Sequence, residues 1–321
     1  MNVNTETRTR QIYFGALPQS RLLVNVILDN MRVIKSCYQA DRSCFNLKAI
    51  TTVFLLTFTL PVEALEVKIS PQTPQQGDTI SVTVTTEDNL PPKITADEIN
   101  YPVFQNDGQY RAFIPTSPLN ASGKMTLKVQ GDNRTSNLGV WLKNRTFPVQ
   151  RIWLSGKASR PATQLELNRV REFKELVTPQ KFWQGSFVRP NAERVSTGFG
   201  IRRYYNNVFA KDYYHKGVDY AGDYGSPVVA PAAGKIRLVG KESEGFHVHG
   251  NIVGLDHGQG VLSIFMHLQD INVTEGLMVK AGQQIGTIGS TGASTGPHLH
   301  WGLYVNQVAV DPVPWRFGAI D

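Results

Sequence analysis

Cysteine is almost missing from this 321-residue chain: there are two, Cys37 and Cys44, both near the N-terminus. Beyond them the chain can build no disulfide framework and offers no thiol nucleophile, which removes thiol-protease readings. Histidine is missing from the first two-thirds, because all seven lie between His215 and His300. The longest apolar run, Ala49–Leu60, falls short of the ~20 residues that cross a bilayer comfortably as a helix. There is no internal repeat and no long low-complexity tract. Net charge is +7, yet the basic residues are scattered and form no stripe for nucleic acid. The glycines at Gly282, Gly286, Gly289 and Gly292 form no Gly-x-Gly-x-x-Gly opening a helix, and the lysine of a P-loop is absent, so a nucleotide site is excluded. They fit tight turns between short strands.

What remains is an ordinary globular composition, 41% hydrophobic and 18% charged, long enough for two domains. Residues 1–64 read as a leader. Arg42 and Lys48 precede the apolar run, and Val62-Glu63-Ala64 places small residues at the −3 and −1 positions of a secretory signal. An uncleaved anchor is the alternative, and Met31 is an alternative start. Without the leader's seven Lys/Arg and four Asp/Glu the charge becomes +7 − 3 = +4.

From Leu65 to about Arg145 the pattern alternates and is rich in turns. Thr79–Val84 and Met125–Val129 interleave apolar with polar residues, and Leu65–Ile69 and Tyr110–Ile114 are strand-like. Such strands over residues 65–145 predict a small β-sandwich of immunoglobulin type. Residues 146–186 read as a connector with an amphipathic helix over Thr163–Val177, its apolar face drawn from Leu165, Leu167, Val170, Phe173, Leu176 and Val177, stopped by Pro179. Residues 187–321 are again β-rich, so the chain is predominantly all-β.

The histidines carry the chemistry. They fall in His215-Lys-Gly-Val-Asp219, Met266-His267-Leu268 and Pro297-His298-Leu299-His300. Even spacings put His298 and His300 on one face of a strand, with Leu299 turned inward, and put His215 and Asp219 on one face too. Neutral imidazole is the commonest transition-metal ligand. A set of His with one Asp and no Cys points to a catalytic zinc site of three protein ligands with an open position. Five candidates are one ligand set and two spares, and spacing alone does not divide them. His247 and His249, in Gly245-Phe-His-Val-His-Gly250, read as an exposed hairpin, and His257 as structural in a turn-like segment. Tyr204, Tyr205, Tyr213 and Tyr214 read as packing or a substrate platform, and Arg202 and Arg203 as a solvated loop.

From about Gln184 to Pro314 the sequence resembles the M23 (lysostaphin- or LytM-type) zinc metallopeptidases. The resemblance rests on H-x-x-x-D at His215–Asp219 and H-x-H at His298–His300. Ser196-Thr-Gly-Phe-Gly-Ile-Arg202, the Ser226–Ile236 block and the Val279–Gly292 block add to it. It implies an antiparallel β catalytic domain with a substrate groove, and zinc held by His215, Asp219 and His300. His267 and His298 would be catalytic. The implied substrate is a peptide bond of bacterial peptidoglycan, cut outside the cytoplasm in the periplasm or cell envelope. No nucleic acid and no stable membrane insertion after signal cleavage are expected. The N-terminal β-domain is a candidate surface for envelope protein partners. One departure is Phe265, where the family often has Tyr. A non-catalytic regulator of other wall hydrolases is the alternative function, although such members lose ligands and this chain keeps the set. A lipoyl-type carrier would need an exposed lysine at a hairpin tip, and none lies between Lys241 and Lys280.

Overall fold

The computed structural model describes residues 65–318. The leader, with its signal segment, Met31, Cys37 and Cys44, lies outside the described residues. Eight strands come first: β1 (Glu66–Ser70), β2 (Thr79–Thr85), β3 (Lys93–Ala96), β4 (Ile99–Tyr101), β5 (Phe104–Asn106), β6 (Gln109–Pro115), β7 (Gly123–Gly131) and β8 (Arg134–Leu142). They form two four-stranded antiparallel sheets, ordered β1-β2-β6-β5 and β4-β3-β7-β8. The sheets share a core that includes Ile80, Val82, Val84, Ile94, Ala112, Ile114, Leu127 and Val129. The alternation of Met125, Leu127 and Val129 is that of a half-buried strand, as expected. On β2 and β6 it is not, because both faces are covered: Thr79 and Ser81 are buried like Ile80 and Val82.

The second face of β6 packs on the C-terminal half. Phe113 belongs to that half's core, and its carbonyl accepts from Asn306 Nδ2 at 2.8 Å. Arg111 is buried, donates from Nη2 to Gln259 Oε1 at 3.0 Å, and lies 4.8 Å over the Phe113 ring. Trp315 Nε1 donates to Thr79 Oγ1 at 3.2 Å, and Arg145 pairs with Asp311 at 2.8 Å.

The connector contributes β9 (Val149–Ile152), a short 3-10 turn at Gly156–Ser159 and an α-helix, α1 (Gln164–Lys174). Thr163 caps α1, its Oγ1 accepting from Glu166 N at 3.1 Å. The helix ends at Glu175, before the expected Pro179. Its buried face is Glu166, Val170 and Phe173, at i, i+4 and i+7. Leu165, Leu167 and Val177, expected inside, are 51%, 50% and 44% exposed. The helix is rotated because Phe173 packs where Gly254 leaves room beside Leu238, and that face then carries a carboxylate.

Nine residues beyond the end of α1 at Lys174, Trp183 fills a pocket among Phe113, Phe187 and Trp315, with ring centroids 6.1–6.4 Å away. It joins the connector, the N-terminal sheets and the C-terminal core. Trp183→Ala is expected to cost about 3–5 kcal/mol, the range for emptying an aromatic site in a core; thermal denaturation of the variant measures it.

The C-terminal half begins with β10 (Arg194–Thr197), β11 (Arg202–Tyr205), β12 (Val208–Phe209), β13 (Val218–Ala221), β14 (Pro227–Val229) and β15 (Gly234–Gly240). It continues with β16 (Asn251–Gly258), β17 (Val261–Ile271), β18 (Met278–Val279), β19 (Gln284–Ile288), β20 (His298–Val305) and β21 (Val308–Val310). The main sheet runs β10-β13-β20-β17-β16-β15-β18, with β14, β19 and β21 attached. β11 pairs with β12, and in parallel with β9, bringing the connector beside the main sheet. All other strand pairs are antiparallel, in keeping with the predominantly β reading. No helix among the described residues is long and apolar enough to cross a membrane.

Candidate metal centre

Three neighbouring strands present the site. In the β13–β20 ladder Asp219 stands opposite His300 and Ala221 opposite His298. Directly opposed residues share a face, and residues two apart do too, so Asp219, His300 and His298 project together. Leu299 is fully buried on the other face. His215 precedes β13, held by its own N–H to the Ile201 carbonyl at 2.8 Å.

The register of β17 would send His267 the wrong way. Met266 stands opposite His300, so the next residue should point into the core. The ladder to β16 is irregular here, and His267 takes a left-handed backbone at φ +63°. Both Met266 and His267 then line one cavity with the other four residues. Left-handed backbone is uncommon for a non-glycine residue and is strained where it occurs in a strand. Two contacts hold it: His267 N donates to the His249 carbonyl at 3.0 Å, and His267 Nδ1 meets the Thr291 carbonyl at 2.8 Å. Those two loops touch through glycines. Gly292, at φ +71°, has no room for a Cβ, which would stand 2.4 Å from Gly250 N.

His215 Nε2 lies 3.0 Å from Asp219 Oδ1 and 3.0 Å from His300 Nδ1, which is 2.8 Å from the same oxygen. The potential ligand atoms of the three residues all lie within 4.8 Å of one another. His215 Nδ1 is committed to the Gly198 carbonyl at 2.7 Å, which assigns its proton there and leaves Nε2 a lone pair. With His215 Nδ1 donating to Gly198, the proton left to share among the three donors sits on His300 Nδ1, facing Asp219 Oδ1 and His215 Nε2. A borderline cation that accepts two imidazoles and a carboxylate matches this donor set, and zinc is such an ion. Burial keeps His300 neutral, pushing its pKa down to about 4. Burial opposes ionisation of Asp219, but the adjoining His215 and His300 outweigh it and hold the carboxyl well below its usual range.

The two other imidazoles stand beside this cluster. The His267 and His298 rings are 4.8 Å apart, and His267 is 6.4 Å from His300. His298 Nδ1 meets the Gly296 carbonyl at 2.8 Å, as His267 Nδ1 meets that of Thr291. Each therefore carries its proton on Nδ1 and keeps the Nε2 lone pair. Burial, then the neighbouring His298 and His300, push the His267 pKa well below that of free imidazole.

The cavity, about 790 Å³, is walled in part by the connector through Gln150, Ile152, Leu154, Leu167, Val170 and Lys174. Several residues behave otherwise than expected. Arg203 is not a solvated loop residue but is 9% exposed, with Nη2 3.7 Å from Asp219 Oδ2 and hydrogen bonds to Gln150 and Tyr205. His247 and His249 do not form an exposed hairpin. The fully buried Glu166 carboxylate receives the backbone N–H groups of His247, Val248 and His249 at 2.7–3.0 Å, and His249 Nδ1 at 2.6 Å. His257 is structural as read, though on β16, between the Ala233 carbonyl and Ser263 Oγ at 2.9 Å each. Tyr205 and Tyr213 line the cavity, whereas Tyr214 is buried with its hydroxyl on the Ala309 carbonyl at 3.0 Å. Phe265 is fully buried, so the hydroxyl it lacks removes nothing from the site.

Arg203 and Glu166 were missed by sequence reasoning. Glu166 had a signal: Thr163-x-x-Glu166 is a capping box, and a carboxylate at i of an i, i+4, i+7 apolar face is out of place there.

A buried two-His, one-carboxylate cluster on a β-sheet, with two spare imidazoles in one cleft, defines a metallopeptidase-type site. Residues 213–312 match peptidase family M23, and the chain carries an M23 peptidase domain. It is 40% identical over 120 residues to an uncharacterized metalloprotease of Haemophilus influenzae, covering 37% of this chain and 24% of the relative. It is 39% identical over 120 residues to the DD-carboxypeptidase/endopeptidase Mpg of Neisseria meningitidis serogroup B, covering 37% and 26%. It is 45% identical over 106 residues to lysostaphin of Staphylococcus staphylolyticus, covering 32% and 22%. The chain thus spans about a quarter of the length of these relatives. A crystal structure of an M23 peptidase from Pseudomonas aeruginosa shares the fold, with a TM-score of 0.56 and 23% identity over 76% of this chain and 95% of that one.

Proposed function

We propose that the chain is a zinc-dependent endopeptidase that hydrolyses peptide bonds of bacterial peptidoglycan. The observation that carries this reading is the convergence of His215, Asp219 and His300 donor atoms in a cleft that also holds His267 and His298. In this reading His215, Asp219 and His300 hold zinc. When bound, zinc supplies Lewis acidity, polarising a carbonyl and making water nucleophilic near neutral pH. His267 and His298 move the protons. Their Nδ1–H groups are tied to the carbonyls of Thr291 and Gly296, so each offers Nε2 as a base. A proton taken from the attacking water can return to the amine as the C–N bond breaks, leaving one carboxyl end and one amine end.

The same reading assigns residues 65–145 to an immunoglobulin-like β-sandwich, 146–186 to the connector and 187–321 to the catalytic domain. It places the protein outside the cytoplasm, in the periplasm or envelope. The relatives support the substrate: Mpg is named a carboxypeptidase/endopeptidase, and a Vibrio cholerae relative a peptidoglycan DD-endopeptidase.

Digestion of purified peptidoglycan by residues 65–321 tests it, with fragments read by mass spectrometry. New amine ends that vanish with a zinc chelator are expected. A folded, zinc-loaded protein that releases nothing is a regulator and not a hydrolase. His267→Ala and His298→Ala should each keep zinc and lose about 10²- to 10⁴-fold in turnover, the usual weight of a proton-transfer group. Wild-type turnover in either variant removes that residue from the mechanism.

A further inference from the structure

The cleft has more positive than negative charge. Besides the imidazoles, its charged lining residues are Arg160, Lys174, Arg203, Lys216 and Asp219. Asp219 is taken up by His215, His300 and Arg203. Arg160 pairs with Glu242 at 2.7 Å. Two cations are left over.

Lys174 comes from the last turn of α1, and Lys216 follows His215 directly. Each is half-buried. Each ammonium lies near an aromatic ring, Lys174 Nζ 5.6 Å from the centroid of Tyr304 and Lys216 Nζ 5.7 Å from that of Tyr213. Both rings line the same cleft. Ring faces attract cations but do not neutralise them. Among the described residues, no carboxylate forms an ion pair with either lysine. The two lysines also repel one another: burial and then Lys216 weigh against the charged form of Lys174, and only Glu175 favours it. Half-buried charge without a partner is costly, and a concave site that keeps it is suited to a ligand of opposite sign.

We propose that Lys174 and Lys216 form an anion subsite of the cleft, which takes a free carboxylate of the peptide substrate close to the bond that is cut. This rests on the peptidase reading above. Peptides offer anions as carboxylates, on an acidic side chain or at the C-terminus, and Lys216 adjoins a residue of the metal cluster in the chain. The subsite therefore selects acidic peptides over amidated ones and over glycine-only bridges. Because α1 supplies Lys174, the connector takes part in substrate choice.

The experiment uses the zinc-loaded protein and two synthetic stem peptides that differ only in a carboxylate or a carboxamide beside the scissile bond. Wild-type kcat/KM should favour the carboxylate by about tenfold or more, the scale of a hydrogen bond between charged groups. In Lys174→Met/Lys216→Met the ratio should collapse towards one, because the carboxylate peptide loses its advantage over the carboxamide. Each single variant should lower the ratio part-way. Equilibrium binding of both peptides to His298→Ala gives the same comparison without hydrolysis. If the protein cuts neither peptide yet binds the carboxylate form more tightly, the endopeptidase reading fails and the subsite stands. Equal binding by the wild-type cleft overturns the subsite whatever the double variant does, and so does an undiminished preference in the double variant. Competition by inorganic phosphate but not by the carboxylate peptide would make it a phosphate site and end the proposal.

Discussion

Purified His215→Ala protein should come without zinc. The change removes one of three converging donors and leaves Asp219 Oδ1 and His300 Nδ1, 2.8 Å apart, with an open side that water fills. Losing partners behind a ligand already costs about 10- to 100-fold in metal affinity, so loss of a ligand should exceed 100-fold. Turnover should fall by more than about 10³-fold, beyond the loss of a single oxyanion donor. Asp219→Asn is expected to do the same by another route. It keeps the shape of the side chain but removes the negative charge, and leaves the buried Arg203 guanidinium without the carboxylate 3.7 Å from it. Elemental analysis of the dialysed variants, with peptide hydrolysis alongside, checks both. Asp223→Asn, on the surface two residues beyond β13, is the control that should keep its metal. Full zinc occupancy in His215→Ala or Asp219→Asn would sink the ligand assignment.

Glu166→Ala should damage stability and turnover together, although Glu166 lies outside the metal cluster. It strips the acceptor from three backbone N–H groups and one imidazole at once. Removing one side of a buried charged network costs about 3–5 kcal/mol, or about 10 °C in a domain of this size. The damage should reach catalysis, because the loop it releases carries the carbonyl that holds His267 N. Turnover should drop about 10- to 100-fold, as misplacement by about an ångström does, with zinc retained. Glu166→Gln should fare little better, since its amide turns a donor towards donors.

The pH dependence follows from the sign of the shift. Burial raises the Glu166 pKa, but the hydrogen bonds from the His249 ring and backbone and the attraction of His249 outweigh it, so the folded value is lowered. A depressed carboxylate contributes its stability above the unfolded pKa, near 4.3, and loses it as pH falls through the folded value. The gap in melting temperature between wild type and Glu166→Ala should be full at neutral pH and shrink only below about pH 4. A gap that stays constant into acid would show that the carboxylate charge does not carry the clamp.

Much of this protein is determined by local sequence. Even spacing along strands sets His298 and His300 on one face with Leu299 inward, because side chains alternate whatever else the chain does. The alternation at Met125–Val129 likewise requires a half-buried strand. The clustering of every histidine in one segment and the absence of cysteine beyond Cys44 narrowed the chemistry to a His-and-carboxylate metal site before any fold was known. The resemblance then divided five candidates into ligands and proton carriers.

Other features were decided only when distant segments met. Alternation predicts that His267 points into the core, opposite in sense to Met266. It reaches the cleft because two loops, one anchored by α1 about eighty residues away, over-determine a left-handed backbone that a free strand would avoid. Arg203 looked like a solvated charge because Asp219 and Gln150, which meet its guanidinium along with Tyr205, are distant in sequence. The helix face was misjudged by hydrophobicity alone, because docking on Gly254 and Leu238 rotated Phe173 inward and left Leu165 and Leu167 outside. Local patterns fix which side chains alternate and which chemistry is on offer. Which groups are buried, paired or left with an unmatched charge depends on the neighbours that tertiary packing supplies.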